Sequence, residues 1–136
     1  FDNKGWYAKE HHYQLRPETI ESLYIMFSVT GNEQYREWGW TIFQSIQQYC
    51  RTEVAYSGIN DVRDMPPTQD NKMESFVMAE TFKYLYLLFD EHAGSLIPFS
   101  EFVFNTEAHP IRKFKLLSSI LKEDKQGQQE DANVKK

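Results

Sequence analysis

The feature that most constrains this chain is a repeat. Ten residues, Glu18-Thr19-Ile20-Glu21-Ser22-Leu23-Tyr24-Ile25-Met26-Phe27, return 62 positions later as Glu80-Thr81-Phe82-Lys83-Tyr84-Leu85-Tyr86-Leu87-Leu88-Phe89, identical at five of ten places. Both copies are mostly apolar. The interval between them holds a buried helix, a loop and an amphipathic helix, so the repeating unit is a pair of helices in different environments. That alternation is what a toroid of inner and outer helices requires. A tetratricopeptide array repeats at about 34 residues, which this period does not fit.

The surrounding sequence supplies the punctuation. Pro17 suits a first helical turn, because its missing N–H has no intrahelical partner to lose. The apolar run containing Leu23 and Phe27 stops at Thr30-Gly31-Asn32, with Gly31 as the C-terminal cap. A second, amphipathic helix is predicted over residues 32–50, where Tyr35, Trp38, Ile42, Phe43, Ile46 and Tyr49 recur three and four apart. Residues 51–71, with Gly58, Pro66 and Pro67, form a loop too long for a connector, and long ordered loops are usually functional. A third helix is predicted from Met73 to Phe89, apolar nearly all round in its second half and therefore buried. Residues 96–104 read as extended. Ile111, Phe114, Leu117, Ile120 and Leu121 suggest a further amphipathic helix, and the charged, Gln-rich residues from Lys122 onward suggest a disordered tail.

Composition narrows the function. A chain of 136 residues, 40% apolar and 15% aromatic, can build a packed core. A net charge of −5 without a Lys/Arg-rich block argues against nucleic acid, whose recognition rests on clustered cations. Cys50 has no second cysteine to pair with, and its place at the end of an apolar run favours a buried packing group. No stretch approaches the roughly 20 apolar residues of a membrane span. No leader opens the chain, but residues 1–13 read like the middle of a domain, so a targeting signal is expected upstream if anywhere.

The residues able to do chemistry are mainly acids. Carboxylates at helix starts are favoured by the helix dipole, which alone accounts for Glu18 or Glu80. Their equivalent positions in the two copies add a functional reading, because inner helices of a toroid would bring both to one mouth. Glu18, Glu21, Glu74, Glu80 and Glu107 are oxygen ligands of the hard type that suits calcium, yet no EF-hand spacing is present and these residues alone do not establish a metal. In Asn105-Thr106-Glu107-Ala108-His109-Pro110, the Thr106 hydroxyl and its own carbonyl can face one ion, or the segment is an ordinary turn closed by Pro110. Phe76 reads as core or as a sugar platform, and Arg16 as an ion-pair partner of Glu18. His11, His12, His92 and His109 lack metal-ligand spacing, and no nucleophile elbow occurs.

Three motifs in order, Tyr13-Gln14-Leu15-Arg16-Pro17-Glu18-Thr19-Ile20-Glu21-Ser22, then Met73-Glu74-Ser75-Phe76 running on to Ala79-Glu80-Thr81 and residues 83–89, then Val103-Phe104-Asn105-Thr106-Glu107-Ala108-His109-Pro110, closely resemble class I α-1,2-mannosidases, glycoside hydrolase family 47. The resemblance covers about residues 5–110. It implies an all-α fold, a fragment of an (α/α)7 barrel of inner and outer helices, with a short extended segment near the last motif. It makes residues 1–110 the C-terminal part of a catalytic domain, residues 111–121 an appended helix and residues 122–136 a disordered tail. The activity implied is calcium-dependent, inverting exo-α-1,2-mannosidase action that trims mannose from high-mannose N-glycans of glycoproteins. By the same resemblance Glu18 is the general base; Arg16, Glu21, Phe76, Glu80 and Glu107 meet the sugar or its waters; and Thr106 binds Ca²⁺ through carbonyl and hydroxyl. The proton donor of the family lies on earlier helices, so the 136 residues alone are expected to be inactive and to expose apolar faces of inner helices. The implied location is the secretory pathway, in the lumen of the endoplasmic reticulum or Golgi, with membrane anchoring only through upstream sequence.

Two other readings compete. A mannosidase-like glycan-binding protein of glycoprotein quality control, acting in endoplasmic-reticulum-associated degradation, would keep most of these motifs without hydrolysis. A helical interaction module would tolerate substitution of Glu18, Glu80 and Thr106.

Overall fold

The structure, a computed structural model, describes residues 8–92 and 96–114. Helix α1 spans Glu18–Thr30 and follows Pro17, whose carbonyl accepts the Glu21 N–H at 2.8 Å. It ends at Gly31, which has φ of +67° and donates its N–H to Phe27, a left-handed cap that a residue without Cβ adopts at no steric cost. Both boundaries agree with the reading of Pro17 and Gly31. Helix α2 (Gln34–Ser45) continues into a wider π turn, Ile46–Cys50, so the apolar periodicity over residues 32–50 is realised as one continuous helical rod. Cys50 is buried at its end, and burial, with Asp70 nearby, pushes its thiol up to about 11; it packs as a small hydrophobe.

The third helical segment starts later than the pattern suggests. It runs as a π segment, Val77–Phe82, then α3, Lys83–Phe89, while residues 71–74 remain irregular. The reason is local hydrogen bonding. The Asp70 carboxylate accepts from the Lys72 N–H at 2.9 Å and from the Ser57 hydroxyl at 3.1 Å, and that hydroxyl in turn accepts from Asn71 N–H. Asn71 takes a left-handed φ of +58°, so the backbone there is held out of a helix. The second half of this segment is also not buried all round: Tyr84, Leu85, Leu87 and Leu88 are, but Tyr86 is 61% exposed.

Helix α1 packs on both α2 and α3, and α2 touches α3. Gly39 allows the closest approach: a Cβ there would lie 2.4 Å from Cδ2 of the fully buried Leu88. Arg36 of α2 closes the end of α3, its guanidinium donating to the Leu88 and Phe89 carbonyls at 2.9 and 2.8 Å while lying over the Phe27 ring of α1. The long loop earns its length by bridging. Ile59 pairs with both Tyr13 and Gln69, which straps residues 51–76 across the segment leading into α1.

Apart from isolated bridges, the strands among the described residues are β1 (Phe102–Phe104) and β2 (Pro110–Arg112), an antiparallel pair with Val103 opposite Ile111. This hairpin is the short extended segment expected near the last motif of an otherwise helical chain, whereas residues 96–101, also read as extended, are turns and irregular chain. Ile111 and Arg112 are in β2, so a helix over residues 111–121 is not formed at its start; residues 115–121 and the expected tail at 122–136 lie outside the described residues. Pairing with β1, supported by Arg112 to Glu101 at 2.8 Å, overrides the three-residue spacing that suggested a helix. Tyr24, Tyr84, Phe99 and Phe104 pack tilted or edge-on with centroids 5.5–6.3 Å apart, joining α1 and α3 to the hairpin. Ile25, Met26 and Val29 of α1 and Met78 of the π segment are exposed. Among the described residues no helix is long and apolar enough to cross a membrane.

Leu15, just before the site, is fully buried with φ of +60°, and its carbonyl accepts the hydroxyl of the equally buried Thr81 at 2.6 Å. Replacing Thr81 by Val keeps the shape and strands that carbonyl, so Thr81→Val is expected to cost about 1–3 kcal/mol in chemical denaturation and Thr81→Ser distinctly less. Equal losses in the two variants would assign Thr81 to packing instead.

Candidate active site

The sequence-predicted residues come from three elements. Glu18 opens α1 with its side chain 66% exposed, and Arg16 lies 3.8 Å from it. A pair this exposed adds little to stability, so the geometry bears on what the groups can touch. The Arg16 guanidinium also lies over the Phe76 ring, 5.5 Å from its centroid. Arg16 is therefore more than a partner for Glu18: it spans from the acid to the aromatic face. Phe76 serves both of its readings in part, being half-buried against the core while presenting a face beneath Arg16.

Glu21, one turn along α1, accepts the Tyr84 hydroxyl at 3.3 Å, linking α1 to α3. Burial, then the Glu21 carboxylate, raises the pKa of that phenol above the ordinary range, so it remains a donor. Glu80 sits in the first turn of the π segment. Its carboxyl is pushed up by burial first, then by Glu107, Glu18 and Glu21, with Lys83 opposing. Three carboxylates, from residues 18, 21 and 107, therefore act on Glu80 from distant parts of the sequence. Glu74 is the exception, for it does not contribute to the field at Glu80.

Glu107 and Thr106 occupy the loop between β1 and β2. Asn105 shapes that loop, its side-chain oxygen accepting the N–H groups of Glu107 at 3.0 Å and His109 at 2.8 Å. Ala108, buried with φ of +56°, turns its carbonyl to the Lys83 ammonium at 2.9 Å. Thr106 stays exposed, and among the described residues neither its hydroxyl nor its carbonyl is taken up by a hydrogen bond. Two free hard oxygens beside gathered carboxylates fit a calcium ion whose other positions are filled by water. Among the described residues no three His, Cys, Asp or Glu groups lie close enough to hold a metal ion by their side chains alone, so such an ion would rest on Thr106 and water.

Residues 2–113 match the profile of Glycosyl hydrolase family 47. This chain belongs to glycosyl hydrolase family 47. Over 102 residues it is 51% identical to human mannosyl-oligosaccharide 1,2-alpha-mannosidase IC, covering 75% of this chain and 16% of that protein. Over 98 residues it is 53% identical to Arabidopsis thaliana mannosyl-oligosaccharide 1,2-alpha-mannosidase MNS1, covering 72% and 17%. The structure superposes on an alpha-1,2-mannosidase from Trichoderma reesei with a TM-score of 0.73 at 40% identity, over 81% of this chain and 24% of that one. The chain thus spans about a sixth of the length of these curated relatives.

Two contacts around these acids had no signal in the single sequence. Tyr84 and Lys83 read as ordinary residues of an apolar helix, although Lys83 stands in the repeat where Glu21 stands in the first copy. An apolar cavity of about 350 Å³ lies apart from the acids, between α1, α2 and the long loop, and meets the candidate residues only at Arg16.

A raised Glu80 pKa has a definite consequence for stability. The folded state holds the proton to higher pH than the unfolded state, so stability is full below the ordinary carboxylate pKa and falls as pH rises through the raised value. Without divalent cations, Glu80→Gln is expected to raise the melting temperature at pH 7 and to leave it unchanged well below the carboxylate range. Melts across that range check this; an identical shift at every pH would contradict a Glu80 carboxyl held up by burial and neighbouring carboxylates.

Proposed function

We propose that this chain is part of the catalytic barrel of an inverting, calcium-dependent exo-α-1,2-mannosidase that trims high-mannose N-glycans of glycoproteins in the secretory pathway. The observation that carries the reading is that Glu107, Glu18 and Glu21 all bear on Glu80, while Tyr84 ties α1, and Lys83 ties the hairpin, to the same helical segment. Repelling carboxylates are costly to assemble, and a cation with a polyhydroxylated ligand is what such an assembly suits.

In this proposal Glu18 is the base. Its exposed carboxylate is open to take a proton from water, with the Arg16 guanidinium 3.8 Å away on one side. Inversion needs an acid on the leaving oxygen and a base on the opposite face of the ring, far enough apart to admit water. The base half is assigned here, and the acid half to residues outside this chain, so the 136 residues alone are assigned no activity. Phe76 offers its face to the apolar side of a mannose ring, held in place by Arg16. Thr106 would hold Ca²⁺ through its hydroxyl and carbonyl, and the bound ion would supply ligation to vicinal sugar hydroxyls. Glu21, Glu80 and Glu107 orient water and hydroxyl groups around that position, with the Tyr84 hydroxyl fixing Glu21.

The test is mannose release from a high-mannose glycan by the full-length protein. Release is expected to stop with chelator, and Glu18→Gln is expected to lower kcat by roughly 10²–10⁴-fold while glycan binding persists. Binding without any release by the unmodified protein would favour the glycan-binding relative; full release by Glu18→Gln would remove Glu18 as the base.

A further inference from the structure

The two copies of the repeat differ most sharply one turn past their acids. Glu21 follows Glu18, but Lys83 follows Glu80, so the same helical position carries opposite charges. Both side chains reach across to a neighbouring element. Glu21 takes the Tyr84 hydroxyl, and Lys83 gives its ammonium to the Ala108 carbonyl at 2.9 Å. Ala108 is fully buried in a left-handed conformation at the base of the loop that presents Thr106 and Glu107. A buried carbonyl needs a partner, and a charge-assisted donor is a strong one.

We propose that Lys83 is a positioning residue that seats the tip of the hairpin on α3, fixing where Thr106 and Glu107 stand relative to Glu18 and Glu80. The remaining ties on the loop, Asn105 to Glu107 and His109, are internal to it, so they set its shape and not its place. The backbone pairing of β1 with β2 is likewise internal to the hairpin. Besides ring packing by Phe104 and burial of the Ala108 methyl in the core, the hydrogen bond that ties this tip to the helices among the described residues is the Lys83 bond.

The consequence for metal binding rests on the reading of Thr106 as the calcium ligand, and it can be separated from charge. Removing a cation beside four carboxylates would by itself strengthen calcium binding. Loss of the seat would weaken it. In the full-length protein, Lys83→Met is therefore expected to weaken calcium affinity roughly tenfold by titration calorimetry, the size of a lost charge-assisted hydrogen bond, with Lys83→Arg recovering part of it. Amide exchange in the calcium-free protein gives a second readout. Glu107, Ala108 and His109 are expected to exchange roughly tenfold faster in Lys83→Met while α1 amides keep their rates. Tighter calcium binding, or unchanged exchange at those three amides, would overturn the proposal, as would faster exchange throughout, which marks general destabilisation. If the unmodified protein binds no calcium, the reading of Thr106 fails while the exchange result still decides the role of Lys83.

Discussion

Carboxylates held within one another's fields repel, and the rest of this structure exists around that fact. Glu80 is partly buried within the fields of Glu107, Glu18 and Glu21, and burial first, then their repulsion, raises its affinity for its proton. Holding them requires elements that do not yield. The Thr81 bond to Leu15, the Tyr84 bond to Glu21 and the Lys83 bond to Ala108 join the approach to α1, α1 itself and the hairpin to one helical segment. Residues 80–84 thus supply one of the acids and three of the struts that place the others. That concentration explains why the segment is wound as a π turn, which shifts side-chain directions within a helix and often marks a functional site.

The repeat carries the same logic into the fold. Two apolar helices of one pattern pack side by side, with an amphipathic helix behind both, and their acids fall at neighbouring ends. Divergence between the copies is where function enters. Thr19 remains exposed while Thr81 is buried and bonded, and the acid at Glu21 becomes the cation at Lys83. One helix therefore carries a second acid where the other carries a cation, and the other also makes the bonds that join the elements.

Much of this was legible in the residues. Pro17 and Gly31 bound α1 because each has a backbone property that tolerates no alternative reading there. The amphipathic pattern over residues 32–50 and the burial of Cys50 were equally plain. What failed was decided by partners remote in sequence. The start of the third helix was misplaced because Asp70 and Ser57 claim the backbone at Asn71 and Lys72, a contact spanning 14 residues. Ile111 kept a helical spacing yet became a strand because β1 was there to pair with it. For the site, the acids and Thr106 could be named from motifs, whereas the roles of Tyr84, Lys83 and Leu15 depend on tertiary geometry that no local pattern encodes.

The direct test of the account is diffraction from the full-length protein crystallised with calcium and a mannose-configured inhibitor. The account predicts ion density bonded to the hydroxyl and carbonyl of Thr106, with a sugar ring ligated to that ion, lying on Phe76 and bracketed by Glu18 and Glu80. An ion bound away from Thr106, or a sugar seated with Glu18 and Thr106 on separate surfaces, would contradict it.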